Sequence, residues 1–163
     1  MCNNYITFVP MEKMKTLGDG TPISYTINVR GRLIDLGEPL VMGIMNVTPD
    51  SFYANSRVQT AEAIRQRAHQ IVAEGAKIID IGACSTRPGG VVVSAEEEMQ
   101  RLAFALPIVK EAEPDAILSI DTFHADIVRR TIEEFGADII NDVEEGKDPE
   151  MFRTVAELGA PYI

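Results

Sequence analysis

Apolar and polar positions follow different rhythms in different stretches of the chain. The first 22 residues keep no period, end in Gly18-Asp19-Gly20-Thr21-Pro22, and read as an irregular leader closed by a turn. Ile23–Val29 and Leu33–Leu36 then alternate apolar with polar around Arg30-Gly31-Arg32, which predicts a hairpin with glycine at its bend. Leu40–Met45 abandons the alternation for an unbroken apolar run, the pattern of a strand buried on both faces.

From that strand onward one unit recurs. Thr60 is placed to cap a helix with Ile64, Ala68, Ile71 and Val72 on one stripe, ended by Gly75, and a strand follows at Lys77–Gly82. Ser94-Ala95-Glu96-Glu97 fits a capping box and opens a helix with Met99, Leu102, Ala103 and Leu106 on one face. Within it Pro107 removes a backbone hydrogen bond, so a kink is expected there. Next come a strand at Ala116–Ile120, a helix carrying Val128, Thr131, Ile132 and Phe135, and a strand at Asp138–Ile140. Asp148-Pro149 opens the last helix, with Phe152, Val155 and Ala156, and Gly159 closes it. Two junctions nearly repeat: Gly75-Ala76-Lys77-Ile78-Ile79-Asp80 and Gly136-Ala137-Asp138-Ile139-Ile140-Asn141. Gly159-Ala160-Pro161-Tyr162-Ile163 starts a third copy. Strict alternation of buried strand and amphipathic helix predicts a parallel sheet covered by helices.

Composition narrows the class without changing this picture. A chain of 163 residues, 45% hydrophobic and 25% charged, is of single-domain size and is not a disordered or collagen-like sequence. No apolar run reaches the roughly 18 residues a membrane-spanning helix needs, and no secretory signal opens the chain. The charge balance is −10, with no Lys/Arg run, which argues against a nucleic-acid partner. Cys2 and Cys84 form no motif, so a reduced, cytoplasmic protein is the expectation.

Parallel α/β folds bind ligands beyond the carboxyl ends of their strands. The residues found there are Asn46-Val47-Thr48-Pro49-Asp50-Ser51, Cys84-Ser85-Thr86-Arg87-Pro88-Gly89-Gly90, Asp121-Thr122 and Asn141-Asp142. Each has an ordinary structural role open to it. Asn46 suits a strand-to-loop turn, Asp121-Thr122 a helix cap, Arg87 a solvated loop charge, and Asp142 a turn or cap. Cys84 reads as a small buried residue, and neither His69 nor His124 has an identifiable catalytic partner.

These segments carry a resemblance as a linked set. Gly43-Ile44-Met45-Asn46-Val47-Thr48-Pro49-Asp50-Ser51-Phe52 and Ser85-Thr86-Arg87-Pro88-Gly89 resemble the two signature loops of the dihydropteroate synthase family. Ser119-Ile120-Asp121-Thr122 and Ile139-Ile140-Asn141-Asp142-Val143 match that family's third and fourth strands. The resemblance implies an α/β (β/α)8 TIM barrel, of which residues 23–163 supply the N-terminal hairpin and about four β–α units. The barrel is then expected to stop near its fifth strand, since a full one takes typically about 250 residues.

The implied activity condenses 6-hydroxymethyl-7,8-dihydropterin diphosphate with p-aminobenzoate to give dihydropteroate and diphosphate, with Mg²⁺ as cofactor. By resemblance, Asn46 is the metal ligand, and Thr86, Asp121 and Asn141 bind the pterin diphosphate. Ser85, Arg87 and Pro88 shape the p-aminobenzoate loop, and Asp121 is also catalytic. Two departures stand out: Ala83-Cys84 replaces the family's usual Gly-Glu, and Tyr53-Ala54-Asn55-Ser56-Arg57 lacks its Gly-rich stretch. The family's later pterin-binding Asp, its substrate-bridging Lys and its final Arg and His have no counterpart in this chain. The chain alone is therefore expected to be inactive. Two other readings stay open: a pterin-binding methyltransferase domain, and a non-catalytic half-barrel whose open edges a second copy, as a homodimer, would cover.

Overall fold

The computed structural model describes residues 5–7, 25–48, 61–84 and 93–163. Its central sheet contains the parallel strands β4 (Val41–Asn46), β5 (Ile78–Gly82), β6 (Ile117–Asp121) and β7 (Ile139–Asn141), side by side in chain order. A short strand, β1 (Tyr5–Thr7), pairs antiparallel with β4 and lies within the segment expected to be an irregular leader. The helices α1 (Ala61–Ala73), α2 (Ala95–Ala112), α3 (Ala125–Phe135) and α4 (Met151–Leu158) follow β4 to β7 in turn. Helix α2 runs through Pro107 to Ala112.

Period-two alternation along the strands sorts their side chains onto two faces. Met45, Ile79, Ile81, Leu118, Ile120 and Ile140 pack with Ile64, Ile71, Leu102, Leu106, Val128 and Val155 of the helices in the main core. Met42, Ile78, Ile117 and Ile139 face the other way and meet Val29, Ile27 and Ile34. Those last three belong to the hairpin β2 (Thr26–Val29) and β3 (Arg32–Asp35). A doubly wound sheet carries helices on both faces; here all four helices share one face, as strands in sequential order require when a sheet curls into a barrel.

The hairpin turns through Arg30 and Gly31 at φ 51° and 84°, both left-handed, the geometry of a two-residue type I′ turn. Asn28 Oδ1 accepts the Gly31 N–H at 2.8 Å, and Arg30 Nη1 donates to the Gly136 carbonyl at 3.0 Å, tying the hairpin to the end of α3. Ser94 caps α2 as the capping box implies, its hydroxyl accepting the Glu97 N–H at 3.2 Å. Tyr162 forms a parallel bridge to Ile140, so the third copy of the Gly-Ala junction does reach the sheet edge beyond β7.

Candidate functional site

The four parallel strands end together. Asn46 pairs with Gly82, Gly82 with Asp121, and Asp121 with Asn141, which sets one row across β4–β7 on the face turned away from the helices. The row below it on this face holds Ile44, Asp80 and Ser119, and Met42, Ile78 and Ile117 form the layer against the hairpin. The inner face thus passes from an apolar floor to a polar rim. Gly82 shapes the rim by having no side chain: a Cβ there would lie 3.1 Å from Asp121 Oδ2 and 3.5 Å from Asn46 Oδ1. Two oxygen acceptors from neighbouring strands therefore lean over the glycine from either side.

Asp121 receives no hydrogen bond from any of the described residues, and its carboxyl group is pushed up to about 7. Burial is the main cause, followed by the negative charges of Asp80, Glu98 and Asp142. Asp80 is 2% exposed, and burial raises it too, against the favourable influence of Ser119 and Asn141. Its Oδ2 accepts the Asn141 Nδ2–H at 3.0 Å. Asp80 Oδ1 and Ser119 Oγ sit side by side but form no well-aligned bond with each other or with any other described residue. Behind the rim, Glu98 in the first turn of α2 is fully buried, with neither carboxylate oxygen in a well-aligned hydrogen bond among the described residues. Burial raises it as well, and Thr122, His124 and Arg101 oppose that; His124 Nε2 stands 3.8 Å from Oε2.

Asn46, Asp121 and Asn141, all named from the sequence, are therefore brought together. Ser85, Thr86, Arg87 and Pro88 lie outside the described residues. Asp121 does not cap a helix. The first N–H of α3, at Ala125, goes to Asp148 Oδ2 at 2.9 Å, and Thr122 Oγ1 takes the His124 N–H at 3.3 Å. Asp142 is a turn residue: its oxygens accept the N–H groups of Glu144 at 2.8 Å and Gly146 at 2.9 Å, and the Tyr162 hydroxyl at 2.9 Å. Cys84 is buried and unbridged. His69 pairs with Glu113 at 2.6 Å on the helical surface, far in role from the rim.

Three polar residues of this neighbourhood escaped the sequence reading, though each left a sign. Asp80 and Ser119 interrupt otherwise apolar strands two residues before Gly82 and Asp121, so period two places them beneath the rim. Glu98 stands four residues before Leu102, on the buried stripe of α2.

A family model described as pterin binding enzyme matches residues 42–163. The chain belongs to that family. Among its relatives, the dihydropteroate synthase of Streptococcus pyogenes is 42% identical over 134 residues, covering 82% of this chain and 50% of the relative. The structure of Xanthomonas albilineans dihydropteroate synthase with 4-aminobenzoic acid superposes with a TM-score of 0.73 at 38% identity, covering 86% of this chain and 50% of that one. The Anaplasma phagocytophilum synthase with bound 6-hydroxymethylpterin-monophosphate superposes with a TM-score of 0.65 at 35% identity, covering 74% of this chain and 46% of the other. The chain spans about half the length of the curated relatives it matches. Its helix-wrapped sheet has the α/β architecture of those barrels, and its rim lies where a parallel barrel carries its site.

Proposed function

We propose that this chain forms the pterin-holding half of a dihydropteroate synthase barrel. The observation that carries the reading is the in-register row Asn46–Gly82–Asp121–Asn141 at the carboxyl ends of β4–β7, in a chain of the pterin binding family. The reaction breaks the carbon–oxygen bond between the pterin methylene and diphosphate, the electron pair leaving with diphosphate. The p-aminobenzoate nitrogen then bonds to that methylene and gives up a proton. Positive charge grows on the pterin as the bond breaks, and Asp121 supplies a carboxylate beside it in a partly dry setting. Asp121 accepts ring N–H groups, and Asn141 offers an amide to the ring edge.

Asn46 suits Mg²⁺, a hard ion that favours oxygen, keeps several waters and draws ligands from phosphate. When bound, the ion neutralises charge on the departing diphosphate. Thr86 contacts the anionic end of the pterin substrate, and Ser85, Arg87 and Pro88 house p-aminobenzoate. A reduced thiol at Cys84 accords with the cytoplasm as the site of action. By itself the 163-residue chain binds pterin with little or no turnover, since it spans half the length of the synthases.

Titrating 6-hydroxymethylpterin against the wild-type chain and Asp121→Ala tests the reading. An affinity loss of about tenfold or more is expected, the scale of one charged hydrogen bond. Equal affinities would reduce Asp121 to a structural residue and sink the assignment.

A further inference from the structure

Asp80 and Asn141 occupy equivalent last positions in the two nearly repeated junctions, Gly75–Asp80 and Gly136–Asn141. They stand on β5 and β7, with β6 between them. Strands two places apart in a flat sheet are separated by roughly 9–10 Å. Their side chains nonetheless meet at 3.0 Å, Asn141 Nδ2 donating to Asp80 Oδ2. The curl of the sheet brings them together, and Ser119 on β6 beneath them is small enough to leave the space. This contact joins a residue of the proposed pterin site to a buried carboxylate that no substrate role has claimed.

We propose that Asp80 is a positioning residue that fixes the orientation of the Asn141 amide, and through it the ligand edge that the rim accepts. The proposal rests on the pterin-site reading and deepens it. Asp80 Oδ2 accepts from Asn141 Nδ2, which holds that end of the amide and turns Oδ1 the other way. With the amide reversed, two acceptor oxygens would face each other in a setting where Asp80 is 2% exposed. The rim then presents the Asp121 carboxylate and Asn141 Oδ1 as a row of two acceptors on adjacent strands. Such a row selects a ring edge rich in donors, an exocyclic amino group beside ring N–H groups, and rejects the same ring with a carbonyl in place of the amino group. Sites built around a hydrogen-bonding group discriminate strongly because a mismatched ligand leaves buried polar atoms unpaired. Asp80 Oδ1 and Ser119 Oγ, which form no well-aligned bond among the described residues, mark the space below as polar.

Two measurements on the 163-residue chain decide the matter. The first needs no ligand: solvent exchange of the Asn141 side-chain amide protons is followed by nuclear magnetic resonance, the signals being assigned by their absence in Asn141→Asp. Slow exchange in wild type and at least tenfold faster exchange in Asp80→Ala are expected. Equal exchange in both overturns the proposal whether or not pterin binds. The second compares 6-hydroxymethylpterin with 6-hydroxymethyllumazine, which carries a carbonyl where pterin has its amino group. Wild type is expected to prefer the pterin by about tenfold or more, and Asp80→Asn, whose amide permits either orientation of Asn141, to bring that ratio towards one. A ratio unchanged in Asp80→Asn, whatever happens to the melting temperature, makes Asp80 a structural residue only. Failure of the wild type to bind either compound would instead refute the pterin reading, leaving the exchange measurement to judge the positioning role.

Discussion

Replacing Asp121 by Asn keeps the shape of the side chain and removes its charge, and the structure makes that change stabilising. The carboxyl group moves from an ordinary value of 3.8 to about 7 on folding, through burial and the charges of Asp80, Glu98 and Asp142. A rise of roughly three units corresponds to about 4 kcal/mol at 1.36 kcal/mol per unit, an upper figure because the group is only partly buried. The native state holds this proton more tightly than the unfolded chain does. Stability is therefore lost as pH rises from about 4 to about 7, and the whole penalty is present at pH 8. Asp121→Asn should be more stable than wild type at pH 8 by about 1–4 kcal/mol, and the difference should shrink by about half or more at pH 5. Urea unfolding followed by circular dichroism at the two pH values measures both quantities from the midpoint and slope. A variant less stable than wild type at pH 8, or a difference independent of pH, would refute the reasoning. Stability gained together with pterin affinity lost is the signature of a residue kept for binding rather than for the fold.

Gly82→Ala sets a methyl group 3.1 Å from Asp121 Oδ2 and 3.5 Å from Asn46 Oδ1, so pterin affinity should fall about tenfold in an isothermal titration while the melting temperature changes little. Gly43→Ala drives a methyl into the Ile71 side chain of α1 and should cost about 1–3 kcal/mol in urea unfolding, with no direct effect on the rim. Glu98→Gln removes a buried carboxylate whose protonation folding favours; its stability relative to wild type should rise between pH 5 and pH 8, read as a growing difference in urea midpoints.

Element order was legible in the sequence because long apolar runs and 3.6-residue stripes are strong signals, whereas the single-faced helical cover followed only from the resemblance to a barrel family. The ends of the four parallel strands were legible to within a residue, while the first hairpin strand, expected from Ile23, starts at Thr26. Three of the four parallel strands were ended at their last apolar residue, Met45, Ile120 and Ile140, whereas the ladders continue through Asn46, Asp121 and Asn141. The polar residue belongs to the strand, and that is what puts it in register with its neighbours on the inner face. Asp80 and Ser119 were hidden for a related reason: a buried polar residue inside an apolar strand looks like noise until the curl of the sheet shows what it faces. The Tyr5–Thr7 strand had no periodic pattern to announce it, since three residues pairing with an edge carry too little signal. The linked motif at the strand ends, rather than any single residue, led to the family that the matched region confirms.

The account stands on one claim, that the inner-face row at the carboxyl ends of β4–β7 is where pterin binds. Amide chemical-shift changes in the ¹⁵N-labelled chain, recorded as 6-hydroxymethylpterin is added, test it most directly. The largest changes should fall at Asn46, Gly82, Asp121 and Asn141, with the hairpin Thr26–Asp35 unmoved. Saturable shifts centred on the hairpin end, or none at all at millimolar ligand, would contradict it.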